Sequence, residues 1–484
     1  MSHSIKRGLL IGFLWSFGGR LGYLLVSMIT NILLARLLGP GAFGQIGIVM
    51  FFIVIAKVLS ESGLSGAMIR KQEVNDEDYS TVFIFNFVVS IFLFLLYILC
   101  AKLISLYYDD SELTNLLIVS SLVLIINAFQ ITQNVRLIRA LDYKKKSKLE
   151  FISVSIASGI SLILAYYFNF GVWSVVVMQL MTSLLITVLF WCFCEKVKTL
   201  RFSIKSFKEL YKFGLNTTLA LLLNTIFDNI YQLVLGKYFE VRQTGLYYQA
   251  RKLQEMPVGI IKSTALGVVF ASLSKIQDDT ERFTVAYNKI ITMFTIAVGF
   301  VCFFIYFYSK SIILILYGQE WIEAVFYIQI LIIASFFFMQ EMFNRIIFKV
   351  FDKTKQILVL EIFKKLVQTI TIIVGVIYRD INLLIFGILI VSIVSYFINY
   401  YYSRKIFGGF SWYEVSIVLK VILVSFCTVL IGHIFKLFFG SSDLVLISIF
   451  PVLFLLYILL IKLFNVSDVI NDLKMVKTIL INND

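Results

Sequence analysis

Runs of about 20 consecutive apolar residues recur throughout this chain of 484 residues, and they constrain its fold more than any other feature. A helix of about 20 residues crosses the hydrocarbon core of a bilayer. Inside that core the backbone has no water to bond, so each crossing segment must be a helix or part of a closed barrel. The runs lack the alternation of apolar and polar residues that is typical of barrel strands. The sequence therefore predicts an all-α polytopic membrane protein.

About fourteen transmembrane helices are predicted from these runs. They lie near 9–30, 43–68, 80–100, 114–134, 150–168, 174–194, 213–235, 244–272, 286–308, 323–344, 357–378, 383–402, 414–435 and 444–464.

Composition excludes the soluble classes of protein. Apolar residues make up 60% of the chain and charged residues only 15%. A soluble domain has about a quarter charged residues and less than half apolar ones. The net charge of +14 would suggest a nucleic-acid partner in a soluble protein, but here it has to be compared first with the topology of the spans.

Basic residues alternate between the two sides of the predicted spans. The connections at 135–149 and 195–212 hold six Lys or Arg residues each, whereas the seven connections on the opposite side hold seven in total. Cytoplasmic connections are enriched in Lys and Arg. We therefore expect both termini in the cytoplasm and no nucleic-acid partner.

A weak internal repeat predicts two pseudo-symmetric six-helix lobes plus two extra C-terminal helices. Residues 31–44 align without gaps to residues 232–245, which pairs Ala35 with Gly236 and Gly44 with Gly245. The predicted domains are an N-terminal lobe at 1–198, a cytoplasmic amphipathic linker at 199–212, a C-terminal lobe at 213–405, and two additional spans with a tail at 406–484. Two copies in the same orientation imply a twofold axis along the membrane normal.

Ionisable residues inside the spans are the candidate functional residues, because a charge in hydrocarbon costs several kcal/mol unless it is paired or hydrated. The cations that we expect to bind an anionic substrate are Arg20, Lys57, Arg251, Lys252 and Lys262. The acids that could take up a coupling proton or sodium ion are Glu61, Asp228 and Glu255. Five cations against three acids predict a net-positive cavity among helices 1, 2, 7 and 8.

Two features of these spans have a purely structural alternative. Lys57 and Glu61 share one helix face and could simply neutralise each other. Pro257 is predicted to act as a hinge in span 8, where it removes a backbone hydrogen bond, although a kink can also serve packing alone.

Catalytic and metal chemistry have no support in the sequence. The two histidines, His3 and His433, are too far apart to predict a metal site, and no phosphate-binding Gly-Lys-Ser/Thr loop occurs. The five cysteines all lie in apolar stretches, which disfavours a disulfide framework. We expect neither an enzyme nor a cofactor.

Three segments carry a family resemblance. They are 34–48 (LARLLGPGAFGQIGI), 61–71 (ESGLSGAMIRK) followed by 75–79 (NDEDY), and 139–147 (RALDYKKKS). Together they resemble the Wzx-type flippases for lipid-linked oligosaccharides in the multidrug/oligosaccharidyl-lipid/polysaccharide exporter superfamily, and most closely the lipopolysaccharide and colanic-acid exporters.

The resemblance implies two lobes that form a V in a bacterial inner membrane. It also implies the substrate, an undecaprenyl-diphosphate-linked repeat unit that moves from the cytoplasmic to the periplasmic leaflet. In the related lipid II flippases, cavity arginines on helices 1, 2 and 8 are thought to engage the diphosphate. Arg20 and Arg251 fit that pattern, whereas Lys57 stands where an arginine is expected. The implied partners are membrane lipids, the lipid-linked oligosaccharide, a polysaccharide polymerase and the chain-length machinery.

Other functions remain open on the sequence. A cation-coupled small-molecule or multidrug exporter would share the fold. A membrane polysaccharide polymerase would need a long external loop, which is not visible in the sequence. In a structural assembly factor, the charges inside the spans would have no function.

Overall fold

The structure is a computed structural model that describes the backbone of residues 3–61, 63–195, 200–407, 409, 411–440 and 443–466. Within these ranges it describes all side chains except those of 3–17, 213, 216, 260, 262–266, 268 and 443–447. All regular elements in the described part are helical. The fourteen α-helices are α1 His3–Glu61, α2 Leu64–Arg70, α3 Asp76–Tyr108, α4 Glu112–Arg139, α5 Tyr143–Tyr167, α6 Trp173–Phe193, α7 Ile204–Tyr238, α8 Val241–Ser274, α9 Thr280–Leu316, α10 Ala324–Val350, α11 Thr354–Ile377, α12 Ile381–Arg404, α13 Trp412–Phe439 and α14 Asp443–Leu463.

Ten of the described helical segments are long and apolar enough to cross a membrane. They lie in α1, in α3 to α7, and in α9, α10, α12 and α13. The prediction of an all-α polytopic membrane protein is therefore confirmed. The number of fourteen crossings stays a prediction, because α8, α11 and the described part of α14 are not among the ten.

Two observed helices can be compared with the predicted spans. Predicted spans 1 and 2 lie in the two stretches of α1, which are separated by a break at Gly39, where φ is +72° and Pro40 follows. Glycine tolerates this left-handed region at no steric cost. Residues 204–212 of the predicted linker belong to α7, which starts at Ile204 and runs without a break to Tyr238.

The chain divides into two compact units, 1–248 and 249–484. The first unit thus includes α7, which contacts α1, α2 and α3. Near the start of α7, Glu209 lies 3.0 Å from Lys71, which also holds Asp78 in the first turn of α3. Near the end of α7, Lys237 lies 3.2 Å from Asp109, the residue that caps the end of α3. The domain limits predicted from the sequence remain a prediction.

In the first unit, α1, α3, α4 and α6 pack around an apolar core that includes Ile46, Val49, Leu116, Leu124 and Val176. Bulky apolar side chains from neighbouring helices interdigitate here as in any protein interior.

The core of the second unit lies among α9, α10, α12, α13 and α14. It contains Val298, Phe303, Phe336, Tyr396 and Val421, together with residues of α14. The two C-terminal helices are thus integral to this core rather than appended to it.

The two copies of the predicted repeat touch each other within the first unit. A Cβ atom on Gly44 would clash with the carbonyl oxygen of Val241, and one on Gly245 would clash with the carbonyl oxygen of Pro40. The repeat offset of 201 residues pairs Pro40 with Val241 and Gly44 with Gly245. A reciprocal contact of this kind is what a twofold relation between the copies produces.

We expect Gly44→Ala to lower the stability of the folded protein by about 1–3 kcal/mol, because the added methyl group meets backbone that cannot give way easily. The matched control is Gly41→Ala in the same helix, where an added Cβ meets nothing within 4 Å. That change should be neutral or favourable, since alanine has the higher helix propensity. Thermal unfolding of the purified protein measures both, and equal melting temperatures would contradict the close approach.

A buried ion pair joins α12 to α13 in the second unit. Arg404, 2% exposed, lies 3.0 Å from Glu414, 1% exposed. The amide of Asn344 donates to Glu414 at 2.8 Å, and the guanidinium of Arg404 faces the ring of Tyr287. Since both charges are paired and hydrogen-bonded, their burial is tolerated.

Removing one partner of this pair should be costly. We expect Arg404→Met to destabilise the protein by about 3–5 kcal/mol, because the Glu414 carboxylate is then left buried alone. The double variant Arg404→Met/Glu414→Leu should recover part of the loss, while Lys405→Met at the exposed neighbour should change little. Thermal unfolding distinguishes the three variants, and a single variant as stable as the Lys405 control would refute the expectation.

Candidate functional site

Arg20 lies in the first stretch of α1, before the break at Gly39, where this helix packs closely against α5. A Cβ on Gly19 would clash with Ser147, and one on Gly22 would contact the ring of Phe151. Ser147 is only the fifth residue of α5, so this part of α1 packs beside the start of α5. The Arg20 side chain is exposed and close enough to Glu150 to interact with it electrostatically.

Lys57 and Glu61 lie in the last turns of α1 and also interact electrostatically. Lys57 is half-buried, and Glu61 is exposed. Because the two residues are one helical turn apart, the cation is compensated by a neighbour on its own helix.

Arg251 forms an ion pair with Glu255 in the second unit. Nε of Arg251 lies 2.8 Å from a carboxylate oxygen of Glu255, and the side chains are 19% and 55% exposed. Lys252 is exposed, and the side chain of Lys262 lies outside the described residues. Pro257 lies inside α8, and its role as a hinge remains a prediction.

Three of the predicted cations, Arg20, Lys57 and Arg251, thus have an acid beside them. Asp228 is exposed on α7 and also has an interaction partner. The predicted single cavity that collects all these charges remains a prediction. Within each unit, the observed arrangement is a set of cation–acid pairs from which a stronger anionic ligand could displace the acid.

A second charged site, which the sequence reasoning missed, gathers at one end of the first unit. We call it the charged-end cluster and define it by its seven charged residues, which are Lys71, Asp76, Asp78, Arg136, Arg139, Glu195 and Glu209. Here the starts of α3 and α7 and the ends of α4 and α6 meet the segment between α2 and α3.

Arg139 holds that segment through its guanidinium group. Nη1 donates to the carbonyls of Met68, at 2.7 Å, and Lys71, and Nη2 donates to the carbonyl of Gln72 at 2.8 Å. The last carbonyls of a helix have no partner inside the helix. Arg139 therefore satisfies the open end of the short helix α2.

Arg136 connects two further elements of the cluster. Its guanidinium lies 3.0 Å from Asp76 and 2.6 Å from Glu195, and it faces the ring of Tyr79. Asp76 is in the first turn of α3, where a negative charge also interacts favourably with the helix dipole.

Lys71 bridges α3 and α7. Burial disfavours its charged form, but hydrogen bonds from its ammonium group to Asp78 and Glu209 outweigh this effect and raise the pKa of Lys71. A raised pKa means that the bridge is present below the ordinary lysine pKa and is lost only as the pH rises through the raised value. The bridge is therefore intact throughout the neutral range.

The signal for this cluster was present in the sequence. Lys71, Asp76, Asp78 and Arg139 all belong to the segments that carry the family resemblance. Their meeting with α4 and α7 could not be inferred, since the contacts that join these elements link residues about 60 to 140 positions apart, such as Lys71 and Glu209.

We expect Arg139→Ala to destabilise the first unit by about 1–3 kcal/mol, because several carbonyl groups lose their donor. Arg139→Lys should recover only part of this loss, since an ammonium group lacks the planar fork of a guanidinium. Lys148→Ala, an exposed cation on α5, is the control. Thermal unfolding and proteolysis near residues 63–75 measure the effect. Unchanged protease resistance in Arg139→Ala would show that Arg139 does not hold this segment.

Comparison with known sequences identifies one family and several relatives that match part of this chain. Residues 33–326 match the profile of the family described as "Polysaccharide biosynthesis protein". The chain is 22% identical over 310 residues to the succinoglycan biosynthesis transport protein ExoT of Rhizobium meliloti, a match that covers 64% of this chain and 63% of that protein. It is 21% identical to the lipopolysaccharide biosynthesis protein WzxC of Escherichia coli, with 69% and 68% covered.

Solved structures show the same fold. The lipid II flippase MurJ in its inward closed conformation superposes with a TM-score of 0.71 at 15% identity, and the match covers 94% of this chain and 98% of that one. An inward-facing multidrug resistance MATE family transporter of the MOP superfamily gives 0.63 at 17% identity, with 79% and 94% covered. The predicted all-α polytopic fold is confirmed, and several of these similar proteins are named as transporters or flippases.

Proposed function

The chain belongs to the polysaccharide biosynthesis protein family, and we propose that it is a flippase for lipid-linked oligosaccharides. It would move undecaprenyl-diphosphate-linked repeat units from the cytoplasmic to the periplasmic leaflet of the bacterial inner membrane, with both termini in the cytoplasm. The product would serve O-antigen, capsule or exopolysaccharide synthesis, with a polysaccharide polymerase and the chain-length machinery as downstream partners.

Support for the substrate class comes from the relatives and from the charges. The sequence relatives are named for succinoglycan and lipopolysaccharide biosynthesis. The observation that carries the proposal is the guanidinium of Arg251, which is 19% exposed within a membrane protein and paired to a carboxylate at 2.8 Å. A guanidinium binds phosphate oxygens in the same planar geometry that it uses for a carboxylate.

The mechanism that follows is an exchange of anions. The diphosphate displaces Glu255 from Arg251 and Glu150 from Arg20, while Lys57, Lys252 and Lys262 add positive charge. One of the acids Glu255, Glu61 and Asp228 then takes up a proton or sodium ion. Alternating access of the two lobes carries the head group across, while the polyprenyl chain remains in lipid.

A cation-coupled exporter of small molecules is the alternative with the same fold, since a multidrug transporter is among the structural neighbours. It predicts drug resistance in a host that lacks its own pumps. The flippase predicts surface polysaccharide instead, so a deletion strain complemented by this chain separates the two functions.

A charge exchange tests whether Arg251 binds the substrate or only forms a structural ion pair with Glu255. We expect Arg251→Glu to abolish surface polysaccharide, and the exchanged pair Arg251→Glu/Glu255→Arg to restore membrane abundance but not export. The ion pair is rebuilt in the exchanged variant, whereas the cation has moved by one helical turn. Arg20→Ala should also abolish export at unchanged abundance.

Arg282→Ala removes an exposed arginine at the start of α9 and serves as the matched control. Polysaccharide is measured on whole cells and abundance by immunoblot of membranes. Normal export by the exchanged pair would show that the ion pair is only structural, and normal export by Arg20→Ala would remove Arg20 from the site.

A further inference from the structure

The first turns of α7 present two different faces. On one face Leu210 is 3% exposed in the core, and the ring of Phe207 lies 4.9 Å from the ring of Phe85 on α3. On another side Lys205, Lys208 and Lys212 are exposed. Spacings of three and four residues place these lysines along one side of the helix.

A cavity of about 640 Å³ lies between α2 and α7, and Lys212 of these three lysines lines it. Its wall also contains the cations Arg70 and Lys71, the acid Glu209, and the apolar residues Ala67 and Leu210. Such a lining suits a ligand with an anionic head and an apolar body.

The charge of this surface is strongly positive. Residues 200–212 contain four cations, Arg201, Lys205, Lys208 and Lys212, against the single acid Glu209. That acid is held by Lys71 at 3.0 Å. An anionic partner would therefore find cations on α7 whose only acidic neighbour in this segment is already bound.

Exposed apolar side chains lie directly before the lysines. Leu200 is 68% exposed and Ile204 is 64% exposed, and Phe202 between them is also exposed. Apolar side chains interleaved with lysine and arginine are typical of segments that lie in the membrane interface. An acidic protein or a nucleic acid would match the cations but would leave these side chains uncovered.

We propose that this surface, formed by the start of α7 and Arg70 of α2, binds the head groups of anionic phospholipids. The phosphate and its neighbouring negative charges lie between Arg70 and the lysines of α7, and the acyl chains cover Leu200 and Ile204. This binding does not depend on the transported substrate, so it can be tested separately from the flippase function.

The test uses the full chain, purified in detergent and titrated with phosphatidylglycerol or phosphatidylcholine. Native mass spectrometry counts the bound lipids, and thermal unfolding gives the stabilisation. We expect the wild type to bind phosphatidylglycerol more tightly than phosphatidylcholine. The variant Lys205→Gln/Lys208→Gln/Lys212→Gln should bind phosphatidylglycerol at least about tenfold more weakly, because each basic residue contributes roughly a fivefold factor near an anionic surface.

The matched control is Lys349→Gln/Lys353→Gln/Lys355→Gln, which removes the same charge at three exposed lysines of the second unit. We expect its phosphatidylglycerol affinity to stay within about twofold of the wild type. In phosphatidylcholine both triple variants should unfold at the wild-type temperature, which shows that the fold is unchanged.

Three results would overturn the proposal. The first is equal loss of phosphatidylglycerol binding in the two triple variants, since that would indicate general attraction to net charge. The second is equal binding of phosphatidylcholine and phosphatidylglycerol by the wild type. The third is full stabilisation by soluble glycerol phosphate, because the surface would then bind free anions and not lipid.

Discussion

The backbone of a membrane protein has to satisfy its own hydrogen bonds, and the rest of this structure depends on that constraint. It explains why the described chain folds into long helices and why each interruption has a specific solution. At Gly39 the break uses the left-handed conformation that glycine allows. The short helix α2 follows Gly63. It ends in a segment whose backbone carbonyls accept hydrogen bonds from Arg139. The same hydrogen bonds that close this helix end also bring α4 and α2 together, and they organise the charged residues around them.

Charged side chains are paired for a related reason, since an unpaired charge inside a membrane protein is costly. Arg404 with Glu414, Arg251 with Glu255, and Lys71 with Asp78 are each held within about 3 Å. The three ion pairs differ in how far their side chains are exposed, and this difference separates their roles. The Arg404 pair is sealed in the core, where only removal of both charges is tolerated. The Arg251 pair is accessible through Glu255, so its acid can be replaced by another anion.

Hydropathy was sufficient to predict the fold class and most helices from α3 onward, because the length and apolar character of a span are local properties. It failed where tertiary contacts decide. The close approach of α1, next to Arg20, to Ser147 of α5 leaves no signal in hydropathy. The linker merges with α7 because Ser203 caps that helix and Phe207 and Leu210 pack on the first unit. The pairs Arg136–Asp76 and Lys71–Glu209 could not be predicted, since only packing brings such distant residues together.

Ion pairs near both ends of α7 hold it to Lys71 and to the end of α3. With 35 residues at 1.5 Å each, α7 is a rod of about 52 Å. The close approach of Gly245 to Pro40 ties the first turns of α8 to the same body. The division at Tyr248 therefore falls inside a continuous helix and not in a loop. Pro257 lies nine residues beyond the division, at the position where α8 lacks a backbone donor, so this helix is locally weakened about two and a half turns into the second unit.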